Sequence, residues 1–343
     1  MSGDANHSET TWSRFEGTEL AIVLSNYDIG VIDSVTPFRK GSRRSPKLLV
    51  ATDRGPFLVK RLAPAKADMD RVRFTHAIQS RLLHSKFPLP RLIPTKATGE
   101  TMVQHGDAVY EVYEFIRGTP YDQGLQTTYQ SGQALALYHR VLADFQPTWE
   151  PSAQTYHNAA QVPAHLAVIP ERTGCPALQP VVDTLRAAYM RAAETVQSTG
   201  IEQWPRQIIH SDWHPGNMLY RGSTVVAVID YDTARRGQRV LDVANGALQF
   251  SVTREGDDPA RWPDGLDEGR LKRFCRGYDS VKDCVISTAE LAALPSLMIE
   301  AMIVESSIPI ATTGRFASIE GEAFLRMVER KVRWLAERGR QIA

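Results

Sequence analysis

Residues 208–232 restrict the folds open to this chain more than any other stretch. They read Ile-Ile-His-Ser-Asp-Trp-His-Pro-Gly-Asn-Met-Leu-Tyr-Arg-Gly-Ser-Thr-Val-Val-Ala-Val-Ile-Asp-Tyr-Asp. A short apolar run enters the segment and Pro215-Gly216 imposes a tight turn. Residues 218–220 and 225–229 then read as two strands of a hairpin joined at Arg221-Gly222-Ser223. The turn keeps Asp212 and Asn217 on one loop, and the hairpin returns Asp230 to the same end. Three oxygen-bearing side chains can converge there. Phosphoryl transfer needs such a set: one carboxylate aligns the attacking hydroxyl, and an amide and a second carboxylate hold Mg²⁺ on the nucleotide phosphates. Mg²⁺ takes oxygen ligands, few of them from protein.

Two other readings compete. His210, Asp212 and His214 have a spacing that suits a transition metal. No His-rich partner segment accompanies them, and a zinc site leaves the Pro-Gly-Asn turn unexplained. Alternatively, polar residues merely tie down a loop. That does not explain why Asp230 follows a strand of Val and Ile.

The pattern His-x-Asp-x4-Asn at His210, Asp212 and Asn217, followed by a hydrophobic strand ending in Asp230, resembles the aminoglycoside phosphotransferase and choline kinase superfamily. Leu241-Asp242-Val243-Ala244 is similar to the Asp-Leu-Ala element of that superfamily. Phe87-Pro88-Leu89-Pro90 and Glu114-Phe115-Ile116-Arg117-Gly118 look like the type II homoserine kinase and spore-coat-associated branches. The resemblance implies an α+β, protein-kinase-like fold of two lobes, a small β-rich N-lobe and a larger, mostly helical C-lobe. It implies Asp212 as the general base or hydroxyl-orienting residue and Asn217 and Asp230 as Mg²⁺ ligands. His210 supports the loop, His214 supports it or faces the substrate, Asp232 stands behind the metal site or is a third ligand, and Asp242 accepts backbone N–H groups of the loop. Arg235, Arg236 and Arg239 read as phosphate contacts or as a solvated loop.

The rest of the chain is organised accordingly. Residues 1–16 read as a loose leader, 17–117 as the nucleotide-binding lobe and 118–343 as the catalytic and acceptor-binding lobe. Residues 20–115 have a β-rich texture, with strands expected at 47–52, 57–61, 101–104 and 108–115 and a helix at 65–85. Beyond Gly118 and Pro120, helices are expected at 131–145, 180–197, 266–278, 288–305 and 320–338.

Lys60 ends a strand where kinase-like folds keep the ammonium that meets the α- and β-phosphates. The loop 38–47 carries one Gly, Ser42, Ser45 and five basic side chains, so Ser42 and backbone N–H groups can cap phosphates. A solvated basic loop is an equal reading. Glu114 and Ile116 lie on the expected hinge, where backbone groups meet the purine of ATP or GTP. One departure stands out. Such folds usually place a Glu on the small-lobe helix to pair with the strand Lys. Between Arg61 and Gly99 the acids are Asp68 and Asp70, and His76 lies near the expected Glu position. Either an Asp reaches Lys60 or the Lys is held otherwise.

Lys+Arg 40 against Asp+Glu 39 gives a net charge of +1, which offers no case for nucleic-acid or membrane attraction. The three cysteines give no disulfide or zinc spacing. No signal-peptide pattern and no run of 18 apolar residues is visible, so a cytoplasmic monomer or homodimer without a transmembrane helix is expected. The acceptor is expected to be a small-molecule hydroxyl of the aminoglycoside, amino-alcohol, homoserine or sugar type. Glu300 and Glu305, on an apolar helix, are candidates for an acceptor amine or partners of an Arg. The acids of 257–268 read as an amine-attracting or merely solvated loop. The alternative function is a catalytically silent kinase-like binding or spore-coat-type protein. A protein kinase is disfavoured, because only about 12 residues separate Asp230 from Asp242 and Asp-Phe-Gly and Ala-Pro-Glu are missing.

Overall fold

The computed structural model describes residues 15–39, 45–62, 68–152 and 154–342. Ser42 lies outside them. The chain divides into two compact units. One comprises Met1–Leu83 and Leu89–Arg117, the other His84–Pro88 and Gly118–Ala343.

The first unit contains α1 (Gly17–Leu24), β1 (Ile32–Pro37), β2 (Lys47–Thr52), β3 (Gly55–Arg61), α2 (Met69–His84), β4 (Val103–His105) and β5 (Ala108–Glu114). Its antiparallel sheet runs β1-β2-β3-β5-β4. Side chains alternate faces along each strand. Leu48, Val50, Phe57, Val59, Tyr110 and Val112 therefore share one buried cluster with Val23 and Leu24 of α1. A smaller cluster combines Val72 of α2 with Leu62, Met102 and Val109. The β-rich reading of residues 20–115 fails at α1. The Glu16 N–H donates to the Glu19 carboxylate at 2.8 Å, closing the first turn. Glu19 also accepts from Tyr110 Oη at 2.5 Å and Arg61 Nη1 at 2.8 Å, which pins the helix to the sheet.

The second unit contains α3 (Leu125–Leu142), α4 (Val162–Arg172), α5 (Gln179–Ser198), β6 (Arg206–Ile209), β7 (Met218–Arg221), β8 (Thr224–Val228), β9 (Arg235–Gln238), α6 (Arg239–Ser251), α7 (Glu268–Asp279), α8 (Thr288–Thr313), β10 (Arg315–Phe316), β11 (Ile319–Glu320) and α9 (Gly321–Ile342). Helices α3 and α7 pack at very short range. A Cβ at Gly132 would lie 2.0 Å from the Phe274 carbonyl, and one at Gly277 would lie 2.0 Å from that of Tyr129. Only glycine at both positions permits that approach.

The core helix is α8. Ser287 and Glu290 close a capping box at its start, and Gly314 in the left-handed region ends it. It runs on past the expected end at 305, through Ser306 and Ser307, which bond back to helix carbonyls, and through Pro309. By length and composition alone, α8 is long and apolar enough to cross a membrane. Yet 67% of its most apolar window is buried, and it packs on α4, α5, α6 and α9. Burial inside the unit accounts for its composition.

Candidate active site

In the second unit, β6 brings buried Ile208 and Ile209 to the start of the loop that carries Asp212 and Asn217, and pairs with β9. Pro215–Asn217 forms a single 3₁₀ turn. The β7–β8 hairpin follows, and the Ile229 N–H donates to the Asn217 carbonyl at 3.0 Å, which sets Asp230 beside Asn217. Ser211 and Asp230 have φ of +63° and +64°. Such backbone costs about 1–3 kcal/mol and persists where the surroundings impose it. Here the surroundings include Asp242, only 1% exposed. Its carboxylate accepts the His210 N–H at 2.6 Å and the Ser211 N–H at 2.7 Å, and lies 3.1 Å from His139 Nε2. Thr233 Oγ1 donates to the His210 carbonyl at 2.9 Å.

Asn217 orients Asp212. Its Nδ2 donates to the Asp212 carbonyl at 3.0 Å and to Oδ2 at 2.9 Å. His214 Nε2 lies 3.5 Å from the same Oδ2. Burial pushes the Asp212 carboxyl up, but His214, His210 and Asn217 outweigh it, and the net shift is down. Asp212 is thus ionised at neutral pH. For His214 burial favours the neutral ring, whereas Asp212, Glu305 and Asp230 together raise its pKa. Its Nδ1 accepts the Gly216 N–H at 3.0 Å, a bond that only the unprotonated nitrogen makes. Asp230 is exposed, and Asp232 is half-buried two residues on.

His210 is wholly buried. Its ring centroid lies 5.8, 5.4 and 5.3 Å from those of Tyr138, Trp213 and Tyr231. Neither ring nitrogen has a partner among the described residues, and burial lowers its pKa. No group of three or more His, Cys, Asp or Glu able to hold a metal occurs among the described residues. The zinc reading of His210, Asp212 and His214 fails there, since the His210 ring faces an aromatic cage.

The two candidate carboxylates of α8, Glu300 and Glu305, differ. Glu300 is fully buried, accepting the Asn158 N–H at 2.8 Å and lying 2.9 Å from His157 Nδ1. Its lone pairs serve the unit's interior. Glu305 is half-buried, accepts from Gln249 Nε2, and is bonded by Asn245. Burial first, then the charge of Asp212, pushes its pKa up to about 7. Asn245 Oδ1 is buried without a partner among the described residues.

The family follows from a sequence pattern that matches residues 34–284, that of the phosphotransferase enzyme family. The chain belongs to this family. Stress response kinase A of Salmonella choleraesuis and the serine/threonine protein kinase RdoA of Salmonella typhimurium are each 24% identical over 199 residues. The chain spans only 56% of the length of either. A homoserine kinase of Afipia carboxidovorans is 28% identical over 288 residues, 81% of this chain and 79% of that one. The amicoumacin kinase hAmiN, solved with AMP-PNP, Ca²⁺ and Ami, superposes with a TM-score of 0.66 at 13% identity, over 93% of each chain. The fold of this family member is accordingly the α+β kinase-like one.

In the first unit, Lys60 lies on β3, with its side chain 11% exposed. Neither Asp68 nor Asp70 supplies the carboxylate near it. Glu111 of β5 does, with Oε2 3.8 Å from Lys60 Nζ. The small-lobe helix gives no hint of Glu111. An acid between Tyr110 and Val112, in the middle of a buried strand, is its signal in the sequence. On the segment expected as the hinge, the Glu114 N–H donates to the Arg91 carbonyl at 2.9 Å and the Phe115 N–H to that of Pro56 at 3.1 Å. Those two donors are taken, and the Glu114 side chain sits 3.5 Å from Arg91 Nε.

The arginines after Asp230 and most acids of 257–268 are tied down. Arg236 pairs with Glu150 at 2.7 Å, and Arg239 makes two 2.8 Å bonds to Glu290. Arg235 donates to the Thr233 carbonyl at 2.9 Å. In the acidic loop, Asp258 and Asp267 cap helix starts, Asp264 pairs with Arg330, and Glu268 pairs with Lys272.

Proposed function

We propose that this phosphotransferase moves the γ-phosphoryl group of Mg²⁺-ATP or Mg²⁺-GTP to a hydroxyl of a small molecule. The observation that carries this reading is the convergence of Asp212, Asn217 and Asp230 through the Asn217 side chain and the Asn217–Ile229 backbone bond.

Asp212 is ionised and held through Oδ2, so Oδ1 is the oxygen that receives the acceptor's hydrogen bond. In a loose transition state this positioning matters more than early proton removal. Asn217 Oδ1 and the exposed Asp230 carboxylate form an oxygen pair that fits Mg²⁺, which draws its other ligands from phosphate and water. When bound, the ion would neutralise charge developing on the phosphates. Asp232 stands behind that pair, and His214 fixes the Asp212 rotamer. His210 and Asp242 hold the loop. Lys60 meets the nucleotide phosphates, and the backbone groups of Ile116 meet the purine. Ser42 belongs to the same proposed phosphate loop.

On the acceptor side Glu305 binds an ammonium group, so the acceptor is an amino-alcohol-like molecule. A carboxylate beside Asp212 with its pKa raised is relieved by an arriving cation. A protein hydroxyl is the second reading, favoured by the likeness to RdoA. Against it, the stretch after Asp230 is consumed by β9 and α6, with little chain left to dock a peptide.

The test measures Mg²⁺-dependent ATP and GTP consumption with homoserine, choline, ethanolamine, sugars, aminoglycosides and a generic protein substrate, using Asp212→Ala as control. Turnover stimulated by an amine-bearing acceptor and lost in the variant supports the proposal. Stimulation by the protein alone transfers it to the second reading. Nucleotide binding without turnover on any acceptor points to a silent kinase-like protein.

A further inference from the structure

We propose that Glu111 is the residue that positions Lys60 for the phosphoryl donor, and that His76 acts by fixing Glu111. The proposal rests on the phosphate-binding role given to Lys60 above.

Lys60 and Glu111 are direct partners in the antiparallel register of β3 and β5. Directly opposed residues point to the same face of a sheet. That face also receives His76 from α2. Its Nε2 lies 2.8 Å from Glu111 Oε1, and its Nδ1 lies 2.6 Å from Thr101 Oγ1. Tyr113 Oη donates to Glu111 Oε2 at 3.0 Å. Both carboxylate oxygens are therefore held, and the group cannot swing away from Lys60. The side chains of Lys60, Glu111 and His76 are only 11%, 3% and 7% exposed.

The Lys60–Glu111 separation of 3.8 Å is an ion pair beyond hydrogen-bond length. Coulomb attraction keeps the ammonium over this face, yet Glu111 does not claim its directional N–H donors. That arrangement suits a lysine that must offer those donors to phosphate oxygens.

Folding alone does not require these charges. The neighbouring contact between α2 and the sheet is apolar, made by Val72 with Leu62, Met102 and Val109. Buried charged networks are often no more stable than apolar residues of the same shape. A further consequence follows from the register. In kinases the partner acid sits on a helix whose position controls the pair. Here the acid sits on the strand next to the lysine, so the pair is assembled whenever the sheet is. His76 then lends α2 a supporting part only.

A double-mutant cycle on the full chain tests this, with Mg²⁺-nucleotide binding and steady-state kinetics as readouts. Glu111→Gln keeps the shape and removes the charge. It should lower kcat/KM for nucleotide on the order of 10- to 100-fold. Lys60→Met should cost at least as much, and adding Glu111→Gln to it should cost nothing further. His76→Ala should lower nucleotide kcat/KM, and His76→Gln, whose amide N–H can reach Glu111, should recover most of it. Equal losses from Glu111→Gln in the wild-type and Lys60→Met backgrounds would overturn the proposal, since the effect would then run through the fold. So would an unchanged Glu111→Gln enzyme. If Glu111→Gln fails to fold, the His76→Ala and His76→Gln pair decides by the same criterion. A wild-type chain that neither binds nor turns over Mg²⁺-nucleotide removes the phosphotransferase reading itself, whereas an active wild type with an indifferent Glu111 removes only this inference.

Discussion

The two units hold their charged groups in opposite ways. Around the catalytic loop, Asp242 fixes the main chain through the His210 and Ser211 N–H groups, while Asp230 stays exposed. Around Lys60, side chains hold side chains, in a set of buried Glu111 and His76 with half-buried Lys60, Thr101 and Tyr113. On the proposed reading, the loop thus separates the residues assigned to chemistry from those that keep the shape. In the first unit one set of atoms is assigned both. Substitutions should therefore split cleanly into rate and stability effects in the loop, and should mix them around Lys60.

The largest expected effect tests the clean half. Asp230→Asn preserves the left-handed backbone, which Asn tolerates well, and removes one charge from the metal pair. Activity should fall on the order of 10³-fold or more, about 4 kcal/mol of transition-state stabilisation. The melting temperature should stay within a few degrees, because the carboxylate is exposed. A loss of less than tenfold in rate would remove Asp230 from the metal site. A large drop in melting temperature would break the separation instead.

Asp242→Ala should show the reverse emphasis. It strands two buried backbone donors and His139, so unfolding in urea should reveal a loss of about 3–5 kcal/mol. Activity in the remaining folded fraction should also drop, since Ser211 loses the anchor for its strained backbone. Unchanged stability would mean that the loop is held by something other than Asp242.

The same contrast explains what could be read in advance. The loop, its turn and its hairpin are local. Ile208, Pro215-Gly216 and Arg221-Gly222-Ser223 lie within a few residues of what they shape, and the strands formed close to where pattern placed them. The Lys60 cluster depends on which residue of β5 falls opposite β3, and no local pattern carries a register. Helix α1 was hidden because it is short and its first turn is closed by an acid rather than Ser or Thr. The acids of 257–268 suggested a binding loop because composition cannot distinguish a helix cap from a ligand-binding carboxylate. Glu300 and Glu305 looked alike for a similar reason. Only packing shows that one meets His157 and the other approaches Asp212.

That last difference gives the smallest effect and the sharpest test of the acceptor side. With its pKa of about 7 against an ordinary 4.5, Glu305 keeps a proton in the folded chain that the unfolded chain has already released. Its contribution to stability therefore falls as pH rises from about 4.5 to about 7, and is lowest above that window. Glu305→Gln abolishes the dependence. Above pH of about 7.5 the variant should be more stable than wild type by about 1–2 kcal/mol, the partial exposure of Glu305 holding the figure below what the full shift implies. Urea unfolding across the window measures this, and parallel curves for the two proteins would show that Glu305 carries no such strain. Kinetics complete the argument. If Glu305 binds the acceptor's ammonium, the stabler variant should need on the order of tenfold more amine-bearing acceptor at an unchanged KM for nucleotide. A gain in stability with no change in acceptor KM would leave Glu305 as a strained carboxylate without a binding role.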